Sequence, residues 1–215
     1  MNVENGPRII AICGVDGVGK TSIVNHMEQQ NMIPGARYLR REKYIDGNLN
    51  HVKSYCPRLY NDHRDWHSGS YAKAMGIGIA LDFVRYYREC LEQPGVDTGI
   101  IVLDRYVTCY LAYLRFLGCA GMMEPVFRSM QKPDMTFYIS VDFNVLESRY
   151  ARRASGDDDE DVELMMALDK EYKKLFAADE NPLVNIDNSG DFSDTIEAIR
   201  QGLIKSRIIH SAENI

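Results

Sequence analysis

The stretch from Arg8 to Ser22 constrains the fold of this chain more than any other part of the sequence. An apolar run, Ile9–Cys13, leads into Gly-Val-Asp-Gly-Val-Gly-Lys-Thr at Gly14–Thr21, and a helical pattern follows. Strand, glycine-rich turn and helix in this order are typical of the Walker A phosphate-binding loop, because glycines allow backbone N–H groups to wrap an anion. The motif predicts nucleoside triphosphate binding, and a loop that binds phosphate without turnover is the alternative.

Residue types within the loop predict contacts with ATP and Mg²⁺. Lys20 is expected to reach the β- and γ-phosphates, and the hydroxyl of Thr21 is expected to ligate Mg²⁺. The positive end of the following helix is expected to face the phosphates. The other loop positions expected to bind ATP are Gly14, Asp16, Gly17, Val18, Gly19 and Ser22.

Composition and charge narrow the possible functions. The chain has 215 residues, 45% hydrophobic and 26% charged, which suits one globular domain. Its net charge of −6 argues against nucleic acid as the main partner, because non-specific nucleic-acid binding needs a basic surface. No membrane span or signal peptide is recognisable, so we expect a cytoplasmic protein. The five cysteines contain no C-x-x-C pair, which favours reduced thiols in the core over disulfides or zinc ligands.

Strand and helix patterns alternate along the whole chain. Strands are predicted at 8–13, 36–41, 99–104, 135–141 and 183–186. Helices are predicted at 19–30, 70–93, 107–117, 122–130, 143–153, 162–176 and 194–206. This alternation predicts a three-layer α/β/α sandwich with a parallel sheet, whose ligands bind at the carboxyl ends of the strands. No linker composition interrupts it, so 1–215 is expected to be one domain, with a substrate-side segment at about 43–69.

A second candidate site follows the buried strand that ends in Leu103-Asp104. A carboxylate at this place is typical of a Walker-B-type residue, so Asp104 is predicted to hold Mg²⁺ or to orient the acceptor. Arg105 comes next, and its planar, permanently charged guanidinium suits a phosphate on donor or acceptor. A strand-end salt bridge is the alternative interpretation of Asp104.

Arginines at the end of a predicted helix indicate a lid at about 149–161. Arg149, Arg152 and Arg153 precede an acidic, polar run at 155–161, and Arg149 and Arg153 share one helix face because they are four residues apart. A lid of this kind brings positive charge onto a transferring phosphoryl group and excludes water. A solvated basic helix end is the alternative.

In combination, these motifs resemble the thymidylate kinase family. The resemblance is carried in order by Gly14–Thr21, by Asp104-Arg105-Tyr106 with Tyr113 shortly after, and by Lys132-Pro133-Asp134. It spans nearly the whole chain and implies a nucleoside-monophosphate-kinase fold with sheet order 2-3-1-4-5, with ATP and Mg²⁺. It also implies that Asp16 holds the 3′-hydroxyl of the acceptor sugar and that Tyr113 favours deoxyribose by crowding position 2′.

The chain departs from this family on the acceptor side. The family's Arg-Glu-Pro element after the second strand is represented by Arg41-Glu42-Lys43, which leaves Arg41 to bind an acceptor phosphate. The positions that stack on thymine and hydrogen-bond to it align with Ile79 and Phe83, and a small polar base contact aligns with Tyr110. The phosphate and sugar sites are therefore expected to be intact, whereas the base pocket is rewritten, and its aromatic residues could equally be core.

Three functions are compatible with these patterns. The first is ATP-dependent phosphoryl transfer to a nucleoside monophosphate, dTMP or a related pyrimidine deoxynucleotide. The second is phosphorylation of a nucleoside or another small hydroxyl acceptor on the same fold, and the third is nucleotide-dependent regulation without transfer. The resemblance also implies a homodimer, with the helix at 70–93 as its face. The residues expected to carry transfer are Lys20, Asp104, Arg105, Arg149 and Arg153.

Overall fold

The computed structural model describes residues 6–40, 69–91, 99–152 and 162–209. Within them a five-stranded parallel sheet has the order β2-β3-β1-β4-β5, which confirms the predicted fold class and strand order. The strands are β1 (Arg8–Cys13), β2 (Arg37–Leu39), β3 (Ile100–Asp104), β4 (Met135–Ser140) and β5 (Leu183–Asp187). Most of the predicted substrate-side segment and of the predicted lid lies outside the described residues.

Helices connect the strands close to the predicted positions. They are α1 (Lys20–Gln29), α2 (Gly69–Leu91), α3 (Val107–Phe116), α4 (Glu124–Arg128), α5 (Phe143–Arg152), α6 (Val162–Ala177) and α7 (Phe192–Lys205). The helix predicted at 122–130 is shorter in the structure, where α4 spans Glu124–Arg128 and a 3₁₀ turn at Ala120–Met122 precedes it. Pro125 lies in the first turn of α4, where its missing N–H and fixed φ favour a helix start.

The central strand β1 anchors the sheet. It pairs with β3 on one side and β4 on the other, and Ile9, Ile10 and Ile12 are 0% exposed. Full burial of each isoleucine contributes about 1.5–3 kcal/mol to stability. A strand buried on both faces reads as a continuous apolar run, which is how the sequence pattern revealed it.

Parallel pairing brings the ends of four strands to one edge of the sheet. In the register of β1 and β3, Ile12 lies opposite Asp104, so the turn after β1 begins beside the carboxylate that ends β3. The residue after β5, Asn188, donates its backbone N–H to the carbonyl of Ser140 at the end of β4. This edge is where ligands bind in parallel α/β sheets. None of the helices in the described ranges is both long and apolar enough to cross a membrane.

Candidate active site

The loop between β1 and α1, which we call the phosphate loop (Gly14–Thr21), needs glycine at Gly14 and at Gly17. Gly14 has φ of +145°, and a Cβ there would lie 2.3 Å from the carbonyl oxygen of Ile139. Gly17 has φ of +83°, and a Cβ there would lie 2.5 Å from Leu146 of α5. Both the backbone conformation and the close approach of neighbours therefore exclude larger side chains.

Lys20, the first residue of α1, is a buried cation within this loop. Its side chain is 4% exposed, and Nζ donates to the carbonyl oxygen of Val15 at 2.6 Å. The carboxylate of Asp16 lies 3.7 Å from the same nitrogen. A buried ammonium needs such partners because its desolvation is costly. The loop therefore holds a positive charge beside its own backbone.

Thr21 and Asp104 meet at the carboxyl edge of the sheet. The hydroxyl of Thr21 donates to Oδ2 of Asp104 at 2.7 Å. Asp104 is 7% exposed, and its other oxygen, Oδ1, is buried with no hydrogen-bond partner in the described part of the chain. An unsatisfied buried acceptor is costly, and carboxylate and hydroxyl oxygens are ligands that Mg²⁺ prefers. The residues present fit a divalent cation, and the predicted alternative of a strand-end salt bridge is absent at Asp104 among the described residues.

Asp16 and Arg105 form an ion pair across the end of the sheet. The guanidinium of Arg105 donates to Oδ1 of Asp16, and the two side chains are 14% and 48% exposed. Arg105 has φ of +79°, a conformation that is uncommon for a residue other than glycine. Its backbone N–H donates to the carbonyl of Ile12 at 3.0 Å, which fixes this turn against β1. The turn directs Arg105 toward the phosphate loop.

A pair of thiols lies beneath the loop. Cys13, Cys90 and Cys109 are buried, which matches the predicted position of cysteines in the core, and Cys119 is partly buried. A hydrogen bond with Cys109 and burial raise the pKa of Cys13 well above its ordinary value. Burial opposes ionisation of Cys109, but the hydrogen bond from Cys13 and the charge of Arg105 lower its pKa to about 6. The positive charge of Arg105 therefore acts on the floor of the loop as well as on Asp16.

Of the three arginines predicted for the lid, Arg149 lies against the phosphate loop. Its guanidinium donates to the carbonyl of Asn188 at 2.6 Å and to that of Gly17 at 3.4 Å. Arg152 is exposed and donates to the carbonyl of Ser148 in its own helix at 3.1 Å. Arg153 lies outside the described residues.

Two of the residues predicted for the base pocket, Phe83 and Tyr110, lie in a buried aromatic cluster (Phe83, Tyr87, Tyr106, Tyr110 and Phe127). Phe83 of α2 stacks on Tyr110 of α3 with ring centroids 4.2 Å apart and planes 18° apart. Phe83 is 2% and Tyr110 7% exposed. Tyr106 meets Phe83 edge-on at 5.8 Å, and burial raises the pKa of Tyr106 far above its ordinary value, so it stays a neutral phenol.

The remaining acceptor-side predictions lie at the margin of this cluster or beyond the described residues. Tyr113 and Ile79 are partly buried and pack against the core. Tyr113 also lies near α2, since a Cβ on Gly76 would be 3.5 Å from its ring. Arg41 lies outside the described ranges, and the side chain of the preceding Arg40 binds Glu28 and, at 2.7 Å, Asn25.

Three side chains that contact the phosphate loop were not identified from sequence. The hydroxyl of Tyr150 donates to the carbonyl of Asp16 at 2.8 Å, and the amide of Asn188 donates to that of Val18 at 2.7 Å. The hydroxyl of Tyr172 lies 3.3 Å from the carbonyl of Gly14. A usable signal existed for Asn188, which directly follows a strand at the ligand-binding edge. No comparable signal existed for tyrosines within amphipathic helices.

Sequence comparison with known proteins identifies similarity to thymidylate kinases. A family model described as thymidylate kinase matches residues 83–199. The chain is also similar to a probable thymidylate kinase from Pyrobaculum aerophilum, with 25% identity over 178 residues that cover 82% of this chain and 86% of the relative. The matched residues run from Phe83 to Ile199 and so include Asp104, Arg105 and Arg149.

Solved structures bear on the fold. A thymidylate kinase from Candida albicans superposes with a TM-score of 0.66 at 14% identity, covering 94% of this chain and 92% of that one. A deoxyadenosine kinase from M. mycoides, solved with bound dCTP, superposes with a TM-score of 0.63 at 17% identity, covering 92% and 99%. These neighbours share the P-loop nucleoside-monophosphate-kinase type of fold. Because the family model covers more than half of its length, the chain belongs to the thymidylate kinase family and is a nucleotide kinase.

Proposed function

We propose that this kinase transfers the γ-phosphoryl group of ATP to a nucleoside monophosphate, either dTMP or a related pyrimidine deoxynucleotide. The observation that carries the proposal is the contact between Thr21 and Asp104, beside the buried Lys20, at the carboxyl edge of a parallel sheet. The family match begins at Phe83, so the role of the phosphate loop rests on the geometry of this chain. Phosphoryl transfer needs mainly positioning and charge, which this arrangement can supply.

On the donor side, the phosphates of ATP lie against backbone N–H groups of the phosphate loop. Lys20 now donates to Val15, and a triphosphate offers it stronger, charged acceptors. Thr21 and the Asp104 oxygen that has no partner among the described residues would hold Mg²⁺, which would neutralise charge on the β- and γ-phosphate oxygens. Arg149 adds a cation above Gly17, and we assign Arg153 to the same group of phosphate-binding arginines.

On the acceptor side, Asp16 positions the sugar hydroxyl and Arg105 binds the acceptor phosphate. The two side chains are paired with each other in this structure, so an acceptor would exchange that ion pair for its own hydroxyl and phosphate contacts. We assign Arg41 to the same phosphate and Tyr113 to the sugar. Phe83 and Tyr110 stack on each other in the buried aromatic cluster, so we assign them to the apolar core behind the base site and not to direct contact with the base.

A nucleoside acceptor is the second candidate. It is favoured by the ion pair itself, because Asp16 already neutralises the arginine that an acceptor phosphate would need. The fold similarity to a deoxyadenosine kinase supports this candidate in the same way that the thymidylate kinase similarity supports the first.

A coupled ADP-release assay of the full chain, run against a panel of nucleosides and monophosphates, separates these candidates. Turnover with a pyrimidine deoxynucleoside monophosphate supports the first. Turnover confined to unphosphorylated acceptors overturns the first in favour of the second. ATP binding without turnover on any acceptor overturns both and leaves the regulatory function.

We also propose that the whole chain is one kinase domain that pairs with a second copy through α2. The exposed Leu81 of that helix, 53% accessible, supports this choice of face. Light scattering of the wild type is expected to give the mass of a dimer, and Leu81→Lys is expected to give that of a monomer. A monomeric wild type would contradict the pairing.

A further inference from the structure

Each backbone carbonyl from Gly14 to Val18 accepts a hydrogen bond from a side chain. The donors come from α1, from α5, from α6 and from the residue after β5. The hydrogen bonds, from donor side chain to carbonyl oxygen, are Tyr172 to Gly14 (3.3 Å), Lys20 to Val15 (2.6 Å), Tyr150 to Asp16 (2.8 Å), Arg149 to Gly17 (3.4 Å) and Asn188 to Val18 (2.7 Å).

A carbonyl held in place also orients the neighbouring N–H group. In a planar trans peptide, the C=O of one residue and the N–H of the next point in opposite directions. The bond from Tyr150 to Asp16 therefore turns the N–H of Gly17 away from α5. The bond from Asn188 to Val18 likewise turns the N–H of Gly19 away from the segment that follows β5. Successive N–H groups turned to one side form an anion-binding concavity.

Tyr150 is held rigidly enough to set this orientation. It is 7% exposed, and its ring lies against the loop, since a Cβ on Gly17 would be 2.6 Å from its Cε1. Gly17 and Gly19 have φ of +83° and +95°, values that few other residues adopt, so each adjoining peptide plane has access to more orientations than usual. The hydroxyl of Tyr150 therefore fixes the orientation of the peptide between Asp16 and Gly17, which the glycine alone would leave variable.

Asn188 is fixed from three directions. Its Nδ2 donates to the carbonyl of Val18, its Oδ1 accepts from the hydroxyl of Thr195 at 2.8 Å, and its backbone N–H donates to Ser140 at 2.8 Å. The residue is 3% exposed. Its side-chain amide thus connects the phosphate loop with α7, and its backbone N–H connects it with β4.

We propose that Tyr150 and Asn188 are positioning residues for the triphosphate: they hold two peptide planes of the loop so that the N–H groups of Gly17 and Gly19 face the phosphates before ATP arrives. The inference rests on the proposed function in one respect, namely that this loop binds the phosphates of a nucleotide. It means that α5 and the residue after β5 contribute to ATP affinity, although no sequence motif marks either of them.

Tyr150→Phe is the decisive variant, because it keeps the ring on Gly17 and removes one hydroxyl. We expect ATP to bind about five- to tenfold more weakly, which is the usual effect of one lost hydrogen bond. Inorganic tripolyphosphate is expected to lose affinity by the same factor, because the effect lies in phosphate contacts and not in contacts with the base. The matched control is Tyr38→Phe, whose hydroxyl donates to the carbonyl of Met27, outside the loop, at 3.3 Å.

The experiment is calorimetric titration of the full chain with Mg-ATP and with tripolyphosphate, accompanied by thermal melting of each variant. Asn188→Ala is expected to weaken both ligands as Tyr150→Phe does. If Asn188→Ala fails to fold, Tyr150→Phe alone decides. Wild-type affinity for both ligands in a normally melting Tyr150→Phe overturns the inference, as does an equal loss in Tyr38→Phe.

These outcomes are distinguishable from failure of the proposed function. Binding is measured without an acceptor, so a wild type that binds ATP and phosphorylates nothing overturns the function and leaves the positioning test intact. A wild type that transfers phosphate normally, beside a Tyr150→Phe variant with unchanged ATP and tripolyphosphate affinity, overturns the positioning alone. A wild type that binds neither ligand overturns both.

Discussion

The phosphate loop and the aromatic cluster, which both receive a residue from the end of β3, are stabilised in different ways. Arg105 turns toward the phosphate loop and pairs with Asp16, whereas the next residue, Tyr106, is 1% exposed and lies in the aromatic cluster. The loop is held by hydrogen bonds and ion pairs between elements, and the cluster by ring packing between α2 and α3. The positive φ of Arg105 makes this divergence possible within two residues.

This difference predicts that the two regions fail in different ways when they are altered. Groups of the phosphate loop contribute charge and orientation, so their removal should reduce turnover and leave the fold. Rings of the aromatic cluster fill buried volume, so their removal should reduce stability first. Substitutions on each side therefore test whether the division is real.

The largest expected effect is on stability, in Phe83→Ala. Removing a ring that stacks on Tyr110 leaves a cavity, and the free energy of unfolding should fall by about 3–5 kcal/mol. Urea denaturation measures this change, and Met122→Ala, at a side chain that is 68% exposed, is the control. A stability loss no larger than that of the control would place Phe83 in an open pocket instead of the core.

Lys20→Ala should show the opposite pattern. We expect at least about 100-fold slower phosphoryl transfer with a nearly unchanged melting temperature, because the variant removes an electrostatic donor to the transferring group. Steady-state turnover measures the change, and Lys174→Ala, on the exposed face of α6, is the control. Near-wild-type turnover would remove Lys20 from the mechanism.

Asp104→Asn tests the metal assignment. The amide oxygen can still accept from Thr21, but the charge available to a cation is lost, so turnover should fall roughly 10- to 100-fold. The rate should also saturate at higher Mg²⁺ concentration than in the wild type. An unchanged Mg²⁺ requirement would contradict this assignment. The control is Asp194→Asn at the exposed start of α7, which removes one negative charge away from the site.

The smallest effect is expected for Asp16→Asn, and it should fall on one substrate. The KM for the acceptor should rise by about tenfold, the size of one charged hydrogen bond, while the KM for ATP changes less. Initial rates with each substrate varied in turn measure both constants. Equal changes in the two constants would show that Asp16 serves the loop as a whole and has no separate contact with the acceptor.

Much of the fold could be predicted because its signals are local. The apolar runs of β1 and β3 and the helical periods of α1, α5 and α7 appear in consecutive residues and predict a parallel α/β sandwich, whereas the strand order was implied by the resemblance to the thymidylate kinase family. Thr21 and Asp104 were expected near each other because both were predicted Mg²⁺ ligands, Thr21 in the glycine-rich loop motif and Asp104 at the end of a buried strand, and the two side chains are in contact. The predicted helix at 122–130 was too long because Pro125 sets the start of the observed helix at Glu124, which an apolar pattern does not reveal.

The contacts that individual side chains make in the phosphate loop and in the aromatic cluster could not be predicted from local signals. Nothing in the pattern of α5 distinguishes Tyr150 as a donor to Asp16 from a tyrosine that simply packs. The stack of Phe83 on Tyr110 depends on the angle and spacing of α2 and α3, which are 27 residues apart at these positions in the sequence. Such contacts depend on how whole elements pack.

The sequence by itself determined that this chain has a glycine-rich turn between a buried strand and a helix, because glycine conformations and apolar periodicity are properties of neighbouring residues. Only the tertiary structure decided that Arg105 pairs with Asp16 and that each carbonyl from Gly14 to Val18 has a side-chain donor. The physical reason is that a hydrogen bond between distant elements depends on angstrom-scale distances set by the packing of the whole sheet and its helices.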